Sequence, residues 1–155
     1  MKRFIIIIFA ILALPLSLRA QNTIVGDKLP EVSVRKWLMD AQPEEAEYSC
    51  WLFYHSESRL CQQALENIKR HIVKYDKRLN LKIITKEEHK DAGVTLTKHL
   101  KEYVGVAFDD AGKTFRYFGV KYIPYCVVSR KNRVVWCGNA AMLNDQTISK
   151  IITSK

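Results

Sequence analysis

The sequence predicts a single α/β domain with parallel strands first and an antiparallel hairpin near its end. Two patterns carry that reading. The apolar run "YSCWLFY" (48–54) leads into an amphipathic helix from Ser58 to about Asp76, and then into a second apolar run, "LKIIT" (81–85). Strand, helix, strand in that order makes a parallel pair with a crossover. Further on, "IPYCVVS" and "VVWC" are joined by the tight "RKNR", which reads as a hairpin.

The first twenty residues stand apart. "MKR" gives a charged start, "FIIIIFAILALPLSL" a short apolar run, and "LRA" ends on a small residue before Gln21. That is the three-part pattern of a secretory signal, and the run is short and wrongly flanked for a membrane span. Leu18, three residues before the cut, leaves an uncleaved anchor open. The expectation is residues 1–20 as a signal peptide and 21–155 as one exported, periplasmic domain, with no membrane span after cleavage. Loss of Lys2, Arg3 and Arg19 lowers the formal charge from +9 to +6. Such a surplus suits a solvated basic surface, and export together with the lack of a nucleic-acid motif excludes nucleic acid as a partner.

All four cysteines, Cys50, Cys61, Cys126 and Cys137, fall in the mature part. Export permits disulfides, but four in this length are too few for a disulfide-dense scaffold, so a hydrophobic core must supply the stability.

Along the chain, Val32, Val34 and Trp37 suggest an early strand, and "DAQPEEAE" a polar loop. "YSCWLFY" is apolar on both faces, as a central strand requires. In the next helix Cys61, Ala64, Leu65, Ile68, Ile72 and Tyr75 recur at spacings of three and four, which gives one buried stripe. "TLTKHLKEYVG" (95–105) reads as another helix, capped by Thr95 or Thr97 and stopped at Gly105. "VAF" reads as a short strand, "AGKTFRYFGV" as a helix ending at Gly119, and "NDQTISKIITSK" as a final amphipathic helix opened by Asn144 or Asp145. Trp51, Phe53, Phe115, Tyr117 and Phe118 are assigned to the core. His71, His89 and His99 are placed on helix or loop surfaces and given no role.

Taken together, "VGDKLPEVSV", "WLFYHSESRLCQQAL", "YFGVKYIPY" and "VVWCG", in that order, resemble the exported thioredoxin-like proteins, the TlpA-like branch of the redoxins. The resemblance implies a thioredoxin-like fold: a central mixed sheet flanked by helices, with a cis-proline loop at Pro124 before a C-terminal hairpin and helix. It also implies a thiol–disulfide oxidoreductase site. In that family a Cys-x-x-Cys motif opens the helix, where free N–H groups and the dipole stabilise the attacking thiolate and the second cysteine resolves the mixed disulfide. On this mapping Ser58 stands at the attacking position and Cys61 at the resolving one, with Arg59 and Leu60 between. A serine hydroxyl is too weak an acid to replace the thiolate. Glu57 replaces the usual tryptophan before the motif, and Leu52 stands where relatives keep a buried acid.

Cys61 then has three readings: a small buried hydrophobe, a single-thiol centre, or half of a pair with another cysteine. A hairpin centred on Lys131 and Asn132 sets Cys126 opposite Cys137, a spacing a disulfide can bridge. On strand alternation Cys126 also shares a face with Pro124, so a relay through Cys61, Cys126 and Cys137 is conceivable. Cys50 is assigned to core packing. His55, Glu57 and Cys61 could in principle gather round a metal, but a solvated loop histidine and acid is the commoner case, so no metal and no cofactor is expected.

Two functions remain. One is a degenerate oxidoreductase whose redox activity runs through Cys61 with Cys126 and Cys137. The other is a non-catalytic module that binds a protein or peptide, thiol- or disulfide-bearing if exchange survives, in a groove of Ser58, Arg59, Ile123, Pro124 and Tyr125.

Overall fold

The computed structural model describes residues 22–34, 36–75 and 77–154, so the segment read as a signal lies outside the described residues. The strands are β1 (Lys36–Trp37), β2 (Tyr48–Tyr54), β3 (Leu79–Thr85), β4 (Val104–Phe108), β5 (Tyr125–Arg130) and β6 (Arg133–Asn139). The α-helices are α1 (Arg59–Lys74), α2 (His89–Thr97), α3 (Lys113–Tyr117) and α4 (Asp145–Thr153). The strands form one mixed sheet in the order β1-β4-β3-β2-β5-β6. β2, β3 and β4 run parallel, while β1, β5 and β6 pair antiparallel. This is the central mixed sheet flanked by helices that the sequence predicts.

Strand alternation divides the core between the two faces of the sheet. Cys50, Leu52 and Tyr54 of β2 turn to one face, with Leu81, Ile83, Val106, Cys126 and Val128. The buried stripe of α1, together with Ala92 and Leu96 of α2 and Ile148 and Ile152 of α4, covers that face. Trp51, Phe53, Ile84, Ala107 and Val127 turn to the other, where Phe115, Phe118 and the segment around Leu29 to Trp37 cover them. Phe53 sits at the centre of that aromatic set, 4.9 Å from the Phe115 ring and 5.1 Å from Phe118. Tyr117, assigned to the core from sequence, is 37 % exposed.

Three features differ from the sequence reading. The early strand is only Lys36–Trp37, and Val32 and Val34 pack from an irregular segment. The helix expected over 95–105 is instead α2 at His89–Thr97, followed by turns and then β4. Gly105 is therefore no helix stop. It lies inside β4, where an added Cβ would come within 2.5 Å of Pro43 Cδ and 3.0 Å of the Ala41 carbonyl, so only glycine admits the crossing chain. Thirdly, His71 and His99 are buried rather than on the surface. The first is covered by the N-terminus of α4, with Nδ1 3.0 Å from Asp145. The second lies beside Lys69, with 3.2 Å between its Nδ1 and the ammonium.

The hairpin forms as expected, with Lys131 and Asn132 both at positive φ (47° and 63°), as a two-residue turn of the primed kind requires. Its register is not the expected one. Ser129 pairs with Val134, but Val128 pairs with Trp136, which leaves Val135 as a bulge. Val135 and Trp136 both turn to the α1 side, and every later residue of β6 is displaced by one position. Cys126 therefore faces Gly138, and Cys137 pairs with Val127 and packs on the opposite face of the sheet. The expected Cys126–Cys137 disulfide is corrected on this register. Cys137 instead donates from Sγ to the Thr23 carbonyl at 3.3 Å.

Candidate active-site turn

β2 ends at Tyr54, β3 at Thr85, and β5 begins at Tyr125. Tyr54 is in register with Thr85, and Phe53 with Tyr125. The turn 55–58, the segment after β3 and the proline loop before β5 thus emerge at one end of the sheet. This is the carboxyl end of its parallel strands, where open α/β sheets ordinarily hold their sites.

Ser58 is the N-cap of α1, in extended backbone (φ −80°, ψ 112°), and its Oγ accepts a hydrogen bond from the Cys61 backbone N–H at 3.3 Å. Serine is among the preferred residues here because its short side chain reaches an N–H that the helix itself cannot satisfy. The hydroxyl thus holds the N–H to which a thiolate at that position would turn. Cys61 begins the buried stripe of α1 and is 0 % exposed, its side chain among the residues under the helix. Arg59 and Glu57 are exposed, and Leu60 is 61 % exposed.

A residue the sequence reading did not single out organises the turn. Glu87, two residues past β3, accepts from the Ser56 backbone N–H at 2.9 Å and from Thr85 Oγ1 at 2.8 Å, and also from the Ser56 hydroxyl. His55 Nδ1 lies 3.6 Å from the same carboxylate. Gln62 closes the loop from the helix side, donating to the Ser56 carbonyl at 2.6 Å. In the sequence, Glu87 is one acid in the polar "KEEHK"; only its position at the end of a parallel strand beside β2 could have marked it. Among the described residues no group of three or more His, Cys, Asp or Glu side chains is placed to hold a metal ion.

The proline loop stands where the resemblance implies, with a cis Ile123–Pro124 peptide bond. Pro124 is buried, Ile123 and Tyr125 are half-buried, and Tyr122 is 51 % exposed with its ring edge-on to Tyr125 at 5.6 Å. Burial, then the neighbouring Cys61, Glu87 and Glu66, pushes the Tyr54 hydroxyl up to about 12. Burial and Cys137 push Tyr125 up as well, so both phenols remain hydrogen-bond donors at neutral pH.

The cysteines do not form the expected chain of thiols. The sulfur beside Cys126 is that of Cys50, at 3.0 Å. Burial, then the hydrogen bond and charge of Cys50, push the Cys126 thiol well above the ordinary range, which makes it a poor nucleophile in the folded state.

No protein-family model matches the chain, and no curated protein matches it by sequence. Solved structures do match. A putative thiol:disulfide interchange protein DsbE from Chlorobium tepidum superposes with a TM-score of 0.67 at 21 % identity, over 84 % of this chain and 99 % of that one. The C-terminal domain of a putative thiol-disulfide oxidoreductase from Bacteroides thetaiotaomicron gives 0.66 at 14 %, over 84 % and 94 %. A thioredoxin-like protein in the oxidised form gives 0.66 at 15 %, over 82 % and 95 %. At these identities the likeness establishes the fold, which is thioredoxin-like.

Proposed function

We propose that this is an exported thioredoxin-fold protein, with residues 1–20 as signal and 21–155 as the mature domain, whose exchange site is degenerate and serves to bind a protein or peptide. Ser58 takes the place of the attacking cysteine and Cys61 that of the resolving one. The observation that carries the reading is the state of this pair: the hydroxyl caps α1, and the one remaining thiol is wholly buried. A substrate disulfide needs an exposed thiolate to attack it, and Ser58 supplies none.

What the turn still offers is a surface. Arg59 and the exposed apolar Leu60 lie at the start of α1, and Tyr122, Ile123, Pro124 and Tyr125 form the loop that emerges at the same end of the sheet. Exposed aliphatic and aromatic side chains next to a guanidinium are the composition of a protein-binding patch. Peptides selected from a random display library on the immobilised protein should lose affinity about tenfold or more for Leu60→Asp and Tyr122→Asp. Full retention by both folded variants would sink the groove.

A second reading keeps thiol chemistry at Cys61 with Cys126, both of which are buried in the core on the α1 side of the sheet. Cys137, on the opposite face, drops out of that relay. Reduction of a protein disulfide by the purified chain, compared with Cys61→Ser, separates the readings: equal background rates eliminate the oxidoreductase. In the same assay Ser58→Cys should gain reductase activity.

A further inference from the structure

Cys50 and Cys126 lie on neighbouring antiparallel strands. The register pairs Cys50 with Val128 and Leu52 with Cys126, so the two cysteines are diagonal neighbours on the α1 face of the sheet. Both are 0 % exposed, and their sulfurs stand 3.0 Å apart, one thiol donating to the other. That is closer than the ~3.5–4.0 Å at which even two carbon atoms rest against each other. It is about 1 Å outside the length of a disulfide bond.

We propose that Cys50 and Cys126 are a disulfide-forming site, oxidised by thiol–disulfide exchange with a small or protein disulfide into a bond that joins β2 to β5 inside the core. The thiolate of one cysteine attacks a sulfur of the oxidant R–S–S–R, forming a mixed disulfide and expelling one R–S⁻. The thiolate of the second attacks the cysteine sulfur of that mixed disulfide, closing the Cys50–Cys126 bond and expelling the other R–S⁻. The two cysteine protons end on the two leaving thiols, and two electrons pass from the protein to the oxidant.

Burial determines when this happens. Neither sulfur is accessible in the folded chain, and burial keeps the Cys126 thiol protonated. Exchange therefore belongs to the open chain, before β5 docks on β2, and the closed core then shields the bond from reductant. Cys137 is excluded as partner because the bulge at Val135 turns it to the far face.

The full chain, unfolded in urea, is refolded with a mixture of reduced and oxidised glutathione, then denatured, alkylated and mapped by mass spectrometry. Two alkylated thiols are expected, at Cys61 and Cys137, with a peptide bridge joining Cys50 to Cys126; a reduced control takes four. Cys61→Ser and Cys137→Ser should each keep the bridge, so the test does not depend on Cys50→Ala folding. Dithiothreitol should reduce the bond in urea and leave it intact in the native protein. Four alkylated thiols after oxidative refolding, a bridge that includes Cys61 or Cys137, or equal reduction with and without urea would each overturn the proposal. None of these results depends on whether the groove binds a peptide.

Discussion

The hydroxyl of Ser58 and the backbone N–H of Cys61 are joined by a 3.3 Å hydrogen bond that closes the first turn of α1. The residue at the attacking position therefore has a stabilising task independent of exchange. Ser58→Ala should cost about 0.5–1 kcal/mol, the lower part of the range for N-cap loss because the bond is long. Ser58→Asp should restore the loss, since a carboxylate both caps and complements the helix dipole. Urea-unfolding midpoints of the three proteins check the order. A Ser58→Ala midpoint equal to wild type would show that the bond carries no stability.

Glu87 fixes the turn from the other side. With the carboxylate removed in Glu87→Ala, the Ser56 N–H loses its acceptor, at a cost of about 1–3 kcal/mol. Glu87→Gln should lose less, because its amide oxygen can still serve that N–H. Amide hydrogen exchange should rise locally at residues 55–58 in the alanine variant. Exchange that rises uniformly over β2 and β3 instead would assign Glu87 to global stability.

His71 and His99 make the fold sensitive to acid. Burial holds both below the ordinary imidazole range; for His71 it outweighs the opposing pull of Asp145, and for His99 the ammonium of Lys69 adds to it. The unfolded chain therefore binds more protons below about pH 6.5, so stability is complete above that value and declines as the pH falls towards the lowered folded values. Lys74 and Arg70, facing His71, act in the same direction. The midpoint of urea unfolding should fall between pH 7 and pH 5, and less steeply in His71→Leu, provided that variant folds. A flat profile in wild type would contradict the burial argument.

The strands and α1 were legible because their signals are local. "YSCWLFY" is apolar on both faces, and Cys61 to Ile72 keep one stripe. The 95–105 segment misled for a physical reason. Leu96, Leu100 and Tyr103 do all touch the same core, but the last two reach it from turns rather than from a helix. The burial of His71 depends on α4 arriving from the far end of the chain, and the importance of Glu87 on β3 lying beside β2, neither of which is a property of the local sequence. Asn132 and its neighbour identify the hairpin turn correctly, yet nothing in "RVVWCGN" announces that Val135 is an extra residue. A register argument that is sound for the first two pairs after the turn, Arg130 with Arg133 and Ser129 with Val134, then gives the wrong partner for Cys126.

That one bulged residue also decides which sulfur the outside world meets. Three thiols lie on the α1 side, sealed, while Cys137 alone is carried to the other face and left part-exposed. The folded protein thus comes with a natural labelling handle: a maleimide dye or spin label should attach at Cys137 ahead of the other three thiols without mutagenesis, beside Tyr125 of the proline loop.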